Sequence, residues 1–176
     1  MSKFKHLLYC LLFITALTSC NDTDDLSAIF ANKGKKLTNI LRQGSKGPIP
    51  ITDFWPVEDI KGKEKSYELL RDAKNYLISF DGIEEDGKIT GNFSAKGVNV
   101  NLTGSWKADG KSGKISLSIK NSSGTESDPI AKEYIEALKN VYKYKGDKNN
   151  LYLYYEKGQQ TGRFLMFHNK KDQTEK

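Results

Sequence analysis

Few residues of this 176-residue chain could take part directly in catalysis. It contains two histidines, His6 and His168, and two cysteines, Cys10 and Cys20. Because the first nineteen residues have the pattern of a secretory leader, only His168 and Cys20 are expected to remain with the mature chain. A serine or cysteine nucleophile needs an oriented base, and a histidine zinc site needs several ligands. We therefore predict no catalytic centre, no cofactor and no metal site, and we expect His168 at a strand end or on the surface.

A cluster of carboxylates at Glu84, Glu85 and Asp86 is the second chemical feature. A glycosidase needs only two acidic side chains at the right separation, so this cluster could supply them. However, Asp86 precedes Gly87, and an Asp-Gly pair between two alternating segments is typical of a β-hairpin turn. Because water solvates such a turn, we expect these side chains to be exposed, and the protein is predicted not to be an enzyme.

Tyrosine is the residue type whose distribution points to binding. Five tyrosines lie on two consecutive predicted strands: Tyr142, Tyr144, Tyr152, Tyr154 and Tyr155. Paired aromatic side chains stabilise neighbouring strands by about 0.2–1 kcal/mol each, and the strand propensity of tyrosine favours this structural interpretation. The same side chains could also stack on sugars or contact a partner protein. Tyr152 and Tyr154 are therefore candidate contact residues.

Trp55 is the third candidate contact residue. It follows Phe54 in the segment from Gly44 to Pro56, which holds three prolines and is predicted to be a loop without regular structure. An aromatic pair in such a loop could form a ligand platform, or it could be the plug that closes one end of a barrel. The plug is the favoured interpretation.

The N-terminal segment predicts where the protein is located. Lys3 and Lys5 precede an apolar run from Leu7 to Leu17, which is too short to span a bilayer and is typical of a secretory signal. The run leads into Leu-Thr-Ser-Cys at 17–20, which resembles the lipobox of bacterial lipoproteins, whose cysteine is lipid-modified and becomes the mature N-terminus. We expect residues 1–19 to be removed and Cys20 to carry the lipid, which leaves no disulfide. An ordinary secretory peptide with an incidental cysteine is the alternative.

Residues 20–25 are expected to form a lipidated tether. Asn21 to Asp25 is polar and acidic, so it has no apolar surface to bury. Acidic residues after such a cysteine are similar to the surface-export signal of some Gram-negative lipoproteins, although a plain hydrophilic linker fits them equally well. We predict an outer-membrane lipoprotein that is anchored through its lipid and faces the periplasm or the cell surface.

The charge pattern argues against nucleic acid as a partner. The chain has 28 basic and 22 acidic residues, and loss of Lys3 and Lys5 lowers its formal net charge from +6 to +4. The charges are interspersed, and the chain is predicted to be exported. The expected partners are therefore the membrane, through the lipid, and an envelope protein or a glycan.

One amphipathic helix is predicted in the second half of the chain. Asp128 can cap it, and Pro129 suits the first helical position because its missing N–H needs no partner there. Apolar residues then recur at every fourth position from Ile130, while charged residues such as Glu133 fill the other face. We expect this helix to extend over residues 129–139.

The remaining pattern is that of short antiparallel strands. Alternating apolar and polar residues are separated by short polar turns, and the clearest alternation extends from Val98 to Lys107. This predicts one mainly β domain over residues 26–170, a small antiparallel barrel or bent sheet of about eight strands with one main helix packed on it. Residues 171–176 are expected to be a polar tail. Four residues are expected in one core: Leu117, Leu138, Leu153 and Phe167.

Three short segments follow the predicted helix: Val141 to Tyr144, Leu151 to Tyr154 and Phe164 to Phe167. This order of elements resembles the META domain of heat-inducible bacterial lipoproteins. It looks closer still to an uncharacterised group of lipoproteins from Bacteroidetes-type bacteria. Residues 108–112 and 145–160 are the segments that carry this second resemblance. Both cysteines of the META pattern are absent here, so the resemblance implies no site or cross-link that depends on them.

A non-enzymatic binding or inhibitor-like module of the cell envelope is the function expected from the sequence. A small lipid-tethered β domain offers loops and a tyrosine-rich face, but it has almost no catalytic side chains. The resemblance to heat-inducible lipoproteins implies an alternative. This is a structural or stress-related outer-membrane lipoprotein without a specific small ligand.

Overall fold

The computed structural model describes residues 26–30, 34–44, 47–50 and 63–170. Five predicted features lie outside these ranges: the leader, the lipid site at Cys20, the tether, the aromatic contact at Trp55 and the tail at 171–176. The described ranges contain three helices: α1 (Leu26–Phe30), α2 (Lys63–Arg71) and α3 (Pro129–Lys139). The bounds of α3 are those predicted from its cap and its apolar period.

Ten strands make up the rest of the regular structure in these ranges, and every pairing between them is antiparallel. They are β1 (Lys35–Gly44), β2 (Gly47–Pro50), β3 (Leu77–Phe80), β4 (Ile83–Glu85), β5 (Lys88–Lys96), β6 (Asn101–Asp109), β7 (Lys114–Ser123), β8 (Val141–Gly146), β9 (Asn150–Lys157) and β10 (Gln160–Asn169). The prediction of a mainly β, antiparallel domain with one main helix is confirmed.

The sheet is bent and ring-like in part. Its strand order is β10-β9-β8-β7-β6-β5-β3-β1-β2, with β4 paired to β5, and β1 also pairs with β10. The pairing of β1 with β10 therefore closes the series of strands into a partial ring, but the number of paired residues differs between neighbouring strands. β7 and β8 pair only at Lys114 and Lys143, whereas β1 and β10 pair along most of their length.

A single core fills the space enclosed by the sheet. From α1, the ring of Phe30 lies with its centroid 4.6 Å from that of Trp106 and 5.2 Å from that of Phe80. From α3, Tyr134 and Leu138 are fully buried. Of the four residues predicted to share this core, Leu138, Leu153 and Phe167 are buried in it, and Leu117 packs against it half-buried.

Asp128 begins α3 and also ties it to two other elements. Its Oδ1 accepts hydrogen bonds from the backbone N–H of Ala131 at 2.9 Å and from the Tyr76 hydroxyl at 2.7 Å. Its Oδ2 accepts one from the Ser66 hydroxyl on α2 at 2.5 Å. Burial and the neighbouring Asp128 carboxylate raise the pKa of Tyr76 well above its usual range. The predicted helix cap is therefore also a buried junction between α3, α2 and the residue before β3.

The prediction of a loop without regular structure from Gly44 to Pro56 is wrong for β2. The Cα pairs Leu41–Pro50 and Gln43–Pro48 join this strand to β1. Proline cannot donate to a strand ladder, but β2 is the last strand of the pairing path, where one edge needs no partner strand. The prolines therefore mark an edge strand and not an interruption of the sheet.

Gly104 lies where β6 passes very close to its neighbours. A Cβ at this position would lie 2.0 Å from the carbonyl oxygen of Ser118 on β7 and 2.8 Å from the Phe93 ring on β5. The register between β6 and β7 also shifts between Thr103 and Gly104. The close approach of the backbones at this point requires a residue without a side chain.

Candidate functional site

Three tyrosines on the outer face of β8 and β9 form a surface that we call the tyrosine patch: Tyr142, Tyr152 and Tyr154. Tyr142 is 39% exposed and the other two are half-buried. The ring of Phe164 on β10 is buried and packs against Tyr152 and Tyr154, with centroid distances of 6.0 and 5.2 Å. Burial raises the pKa of Tyr154, and the nearby phenols of Tyr142 and Tyr152 raise it further. Tyr152 and Tyr154 therefore pack against the buried Phe164 on the neighbouring strand, and Tyr142 precedes Lys143, the Cα partner of Tyr154.

The other two tyrosines of the predicted stripe face the interior. Tyr144 and Tyr155 are buried in the core cluster. Tyr142 faces outward because the pairing of β8 with β9 shifts between Val141 and Lys143, so that one extra residue is accommodated there. The stripe is thus divided between a structural set inside the sheet and an accessible set outside it, and both predicted contact residues of this region belong to the accessible set.

A groove begins beside Tyr142, at the place where β7 and β8 are barely paired. It has a volume of about 520 Å³ and we call it the lysine groove. Three of its lining residues are buried apolar members of the core: Ala108, Ile115 and Val141. Three others are lysines, one from each of β5, β6 and β7: Lys88, Lys107 and Lys114. The groove therefore combines apolar core residues with exposed cations.

Asp109 is the acidic side chain among the residues that line the lysine groove. Its carboxylate accepts a hydrogen bond of 2.9 Å from the backbone N–H of Ser112. This contact, together with the nearby charge of Lys88, lowers the pKa of Asp109. Asp109 thus stabilises the turn between β6 and β7. Because three lysines and one aspartate line the groove, the net charge of its lining residues is positive.

Glu133 lies on the predicted polar face of α3, but its side chain is buried and only 4% exposed. Its Oε1 accepts hydrogen bonds from the Tyr155 hydroxyl at 2.8 Å and from Nη1 of Arg163 at 3.2 Å. Its Oε2 pairs with the ammonium of Lys157. Through these contacts the buried carboxylate joins α3 to β9 and β10.

Lys36 has an unusual environment in a second cleft, between β1 and α2. Burial lowers the pKa of its ammonium to about 8, and Asp72 opposes this shift. Its Nζ donates to the carbonyl oxygen of Asn75 at 2.6 Å and lies 5.2 Å from the centroid of the Tyr76 ring. These contacts fix Lys36 against the segment before β3, which is a structural role.

The remaining candidates from the sequence are on the surface. His168 is exposed on β10, as predicted. Glu84, Glu85 and Asp86 are exposed at the β4–β5 turn, also as predicted. Glu84 accepts hydrogen bonds from the backbone N–H and the hydroxyl of Ser27, at 3.1 and 2.8 Å, and so ties α1 to this turn.

Within residues 26–30, 34–44, 47–50 and 63–170, no group of three or more His, Cys, Asp or Glu side chains is placed to hold a metal ion. None of the helices in the same ranges has the length and the apolar character needed to cross a bilayer.

Residues 21–169 match the family described as a domain of unknown function, DUF4847, and the chain therefore belongs to that family. A crystal structure of a DUF4847 family protein from Bacteroides vulgatus ATCC 8482 is similar to this chain, with 22% sequence identity and a TM-score of 0.60. The similarity covers 84% of this chain and 99% of the other, and at this identity it shows the fold alone. No curated protein matches the chain.

The predicted resemblance to the META domain is wrong, because both matches are to DUF4847. That resemblance rested on the order of strands and helix, and unrelated small β domains can share such an order. The two cysteines of the META pattern, which this chain lacks, were the sequence signal against it.

Proposed function

We propose that this member of the DUF4847 family is a non-enzymatic binding module of the cell envelope, and that its tyrosine patch holds a sugar chain. The observation that carries this proposal is the position of Tyr142, Tyr152 and Tyr154 on the outer face of two neighbouring strands, where the buried Phe164 packs against the last two. A phenol ring offers an apolar surface to the C–H face of a sugar and a hydroxyl to its polar groups. Because the patch lies on paired strands, its rings are held in place before any ligand arrives.

The hydrogen bonding of the two buried carboxylates supports a binding function over a catalytic one. Glu133 and Asp128 are the buried carboxylates of the described ranges, and each accepts at least three hydrogen bonds from residues of the fold. A catalytic acid or base must instead be within reach of a substrate. These two groups are engaged in holding α3 in place.

We also propose that Cys20 carries a lipid that anchors the protein to the outer membrane, with the domain facing the periplasm or the cell surface. The leader pattern and the Leu-Thr-Ser-Cys sequence at 17–20 support this. Two or three acyl chains give a stable anchor, whereas one is marginal. Replacing Cys20 with alanine should move the protein out of the membrane fraction, and an unchanged distribution would contradict the anchor.

Binding is tested with the whole chain, kept soluble in a neutral detergent, against a panel of immobilised polysaccharides. We expect saturable binding to at least one of them, and we expect Tyr152→Ala and Tyr154→Ala to weaken it about tenfold or more, because covering about 55 Å² of apolar ring surface at about 25 cal/mol per Å² corresponds to a factor of ten. Tyr67→Ala is the matched control, since Tyr67 is a half-buried tyrosine on α2, an element that contributes neither to the tyrosine patch nor to the lysine groove. Absence of binding at high micromolar concentration, or equal binding by Tyr154→Ala and the unmodified chain, would rule out the proposal.

A further inference from the structure

A row of directly paired residues crosses five strands on the outer face of the sheet. The Cα pairs are Lys88–Asp109, Asp109–Lys114, Lys114–Lys143 and Lys143–Tyr154. Paired residues project from the same face, and strands are about 4.8 Å apart, so the row extends over roughly 19 Å. One end of this row lies at the lysine groove and the other lies in the tyrosine patch.

Tyr142 makes the groove and the patch one continuous surface. It lines the lysine groove together with Val141, and it precedes Lys143, which is the direct Cα partner of Tyr154 on β9. A chain molecule lying on the patch would therefore reach the groove without leaving the surface. The groove lies where β7 and β8 are weakly paired.

Lysines outnumber acids along this surface. Lys88, Lys107, Lys114 and Lys143 are all exposed, whereas the acids beside them are Asp109 and Glu85, the Cα partner of Lys88 on β4. The three salt bridges within the described ranges lie elsewhere and use Lys139, Lys157 and Arg163. Several cations around one groove produce a positive potential that attracts anions.

We infer that the ligand of this surface is an acidic polysaccharide, whose sugar rings stack on the tyrosine patch and whose anionic groups bind to the lysine groove. This inference rests on the proposed function and adds the charge of the ligand to it. The exposed ammonium groups of the lysines that line the groove pair with the acidic substituents of the sugar chain.

The test compares dextran with dextran sulfate, which share a glucose backbone and differ in the sulfate groups. We expect the whole chain in neutral detergent to bind dextran sulfate at least tenfold more tightly than dextran. The Lys107→Ala/Lys114→Ala variant should lose most of this preference. The matched control is Lys65→Ala/Lys132→Ala, which has the same net charge but removes exposed lysines from α2 and α3. Thermal unfolding should show that both variants remain folded.

The outcomes separate the two proposals. Equal affinity for dextran and dextran sulfate would overturn the acidic ligand and leave the sugar-binding patch standing. An equal loss in the two double-lysine variants would show attraction to net charge alone, and it would overturn the groove as the binding site. If Tyr142→Ala binds dextran sulfate as tightly as the unmodified chain, the inference that the patch and the groove form one binding surface is wrong. No binding to any polysaccharide would overturn the proposed function itself.

Discussion

The Tyr155 hydroxyl donates a hydrogen bond of 2.8 Å to Oε1 of Glu133, and this buried contact joins β9 to α3. Tyr155 is 1% exposed and Glu133 is 4% exposed. β8 begins at Val141, two residues after α3 ends at Lys139. The position of the helix therefore helps to fix the start of β8, where Tyr142 faces outward between the tyrosine patch and the lysine groove.

Replacing Glu133 with alanine should destabilise the protein strongly. It would leave Arg163 and Lys157 without this carboxylate, and breaking a buried ion pair in this way costs about 3–5 kcal/mol. Glu136→Ala on the same helix is the control, because its ion pair with Lys139 is exposed and is worth about 0–1 kcal/mol. Urea unfolding measures both. Equal losses of unfolding free energy would contradict the role assigned to Glu133.

Replacing Gly104 with alanine should also lower the free energy of unfolding. The new methyl group would lie 2.0 Å from the Ser118 carbonyl oxygen, so β6 and β7 would have to separate. Overpacking of this kind costs about 1–3 kcal/mol. Gly34→Ala is the control, because a Cβ at Gly34 would have no atom within 4 Å. A Gly104→Ala protein as stable as Gly34→Ala would show that β6 and β7 tolerate a side chain between them.

The free energy of unfolding should fall steeply above pH 10. Burial raises the pKa of Tyr76, Tyr134 and Tyr155 above their usual value near 10. Above that pH the unfolded chain loses these protons while the folded chain retains them, so folding is progressively disfavoured. Each tyrosine contributes up to about 1.4 kcal/mol per pH unit, or about 4 for all three.

Tyr134→Phe should reduce this alkaline slope, and Tyr142→Phe should leave it unchanged because Tyr142 is exposed. The slope is obtained from urea unfolding at several pH values. Equal slopes for the two variants would contradict the assignment. Lys36 acts in the opposite direction, because its pKa of about 8 in the folded protein is below the usual value of 10.5. Between these pH values the unfolded chain binds more protons at Lys36 than the folded chain does, so the contribution of Lys36 to the free energy of unfolding rises with pH.

The elements that the sequence predicts well are those encoded by nearby residues. Asp128 and Pro129 define the start of α3, and the apolar residues of β6 alternate as a half-buried strand requires. These signals extend over a few residues, so they can be recognised without knowledge of the fold. Simple alternation fails at β8, where it would place Tyr142 and Tyr144 on the same face, because the shift in pairing lies between Val141 and Lys143.

The features that the sequence does not predict are those assembled over long distances. Glu133 is buried because Tyr155 and Arg163 reach it from positions 22 and 30 residues later in the chain. The lysine groove combines Lys88, Lys107 and Lys114 from three strands, and each lysine alone resembles an ordinary exposed charge. Strand register, which brings them together, is not encoded in any single segment.

The most direct test of the binding surface is NMR of the whole chain in detergent with isotope-labelled tyrosine rings, during titration with dextran sulfate. Tyr142, Tyr152 and Tyr154 lie outside the sheet, whereas Tyr144 and Tyr155 are buried on the same strands and serve as internal controls. We predict saturable changes in the ring signals of the first three and little change in the last two. Unchanged signals from the three outer tyrosines, or equal changes in all five, would contradict a sugar chain bound at the tyrosine patch.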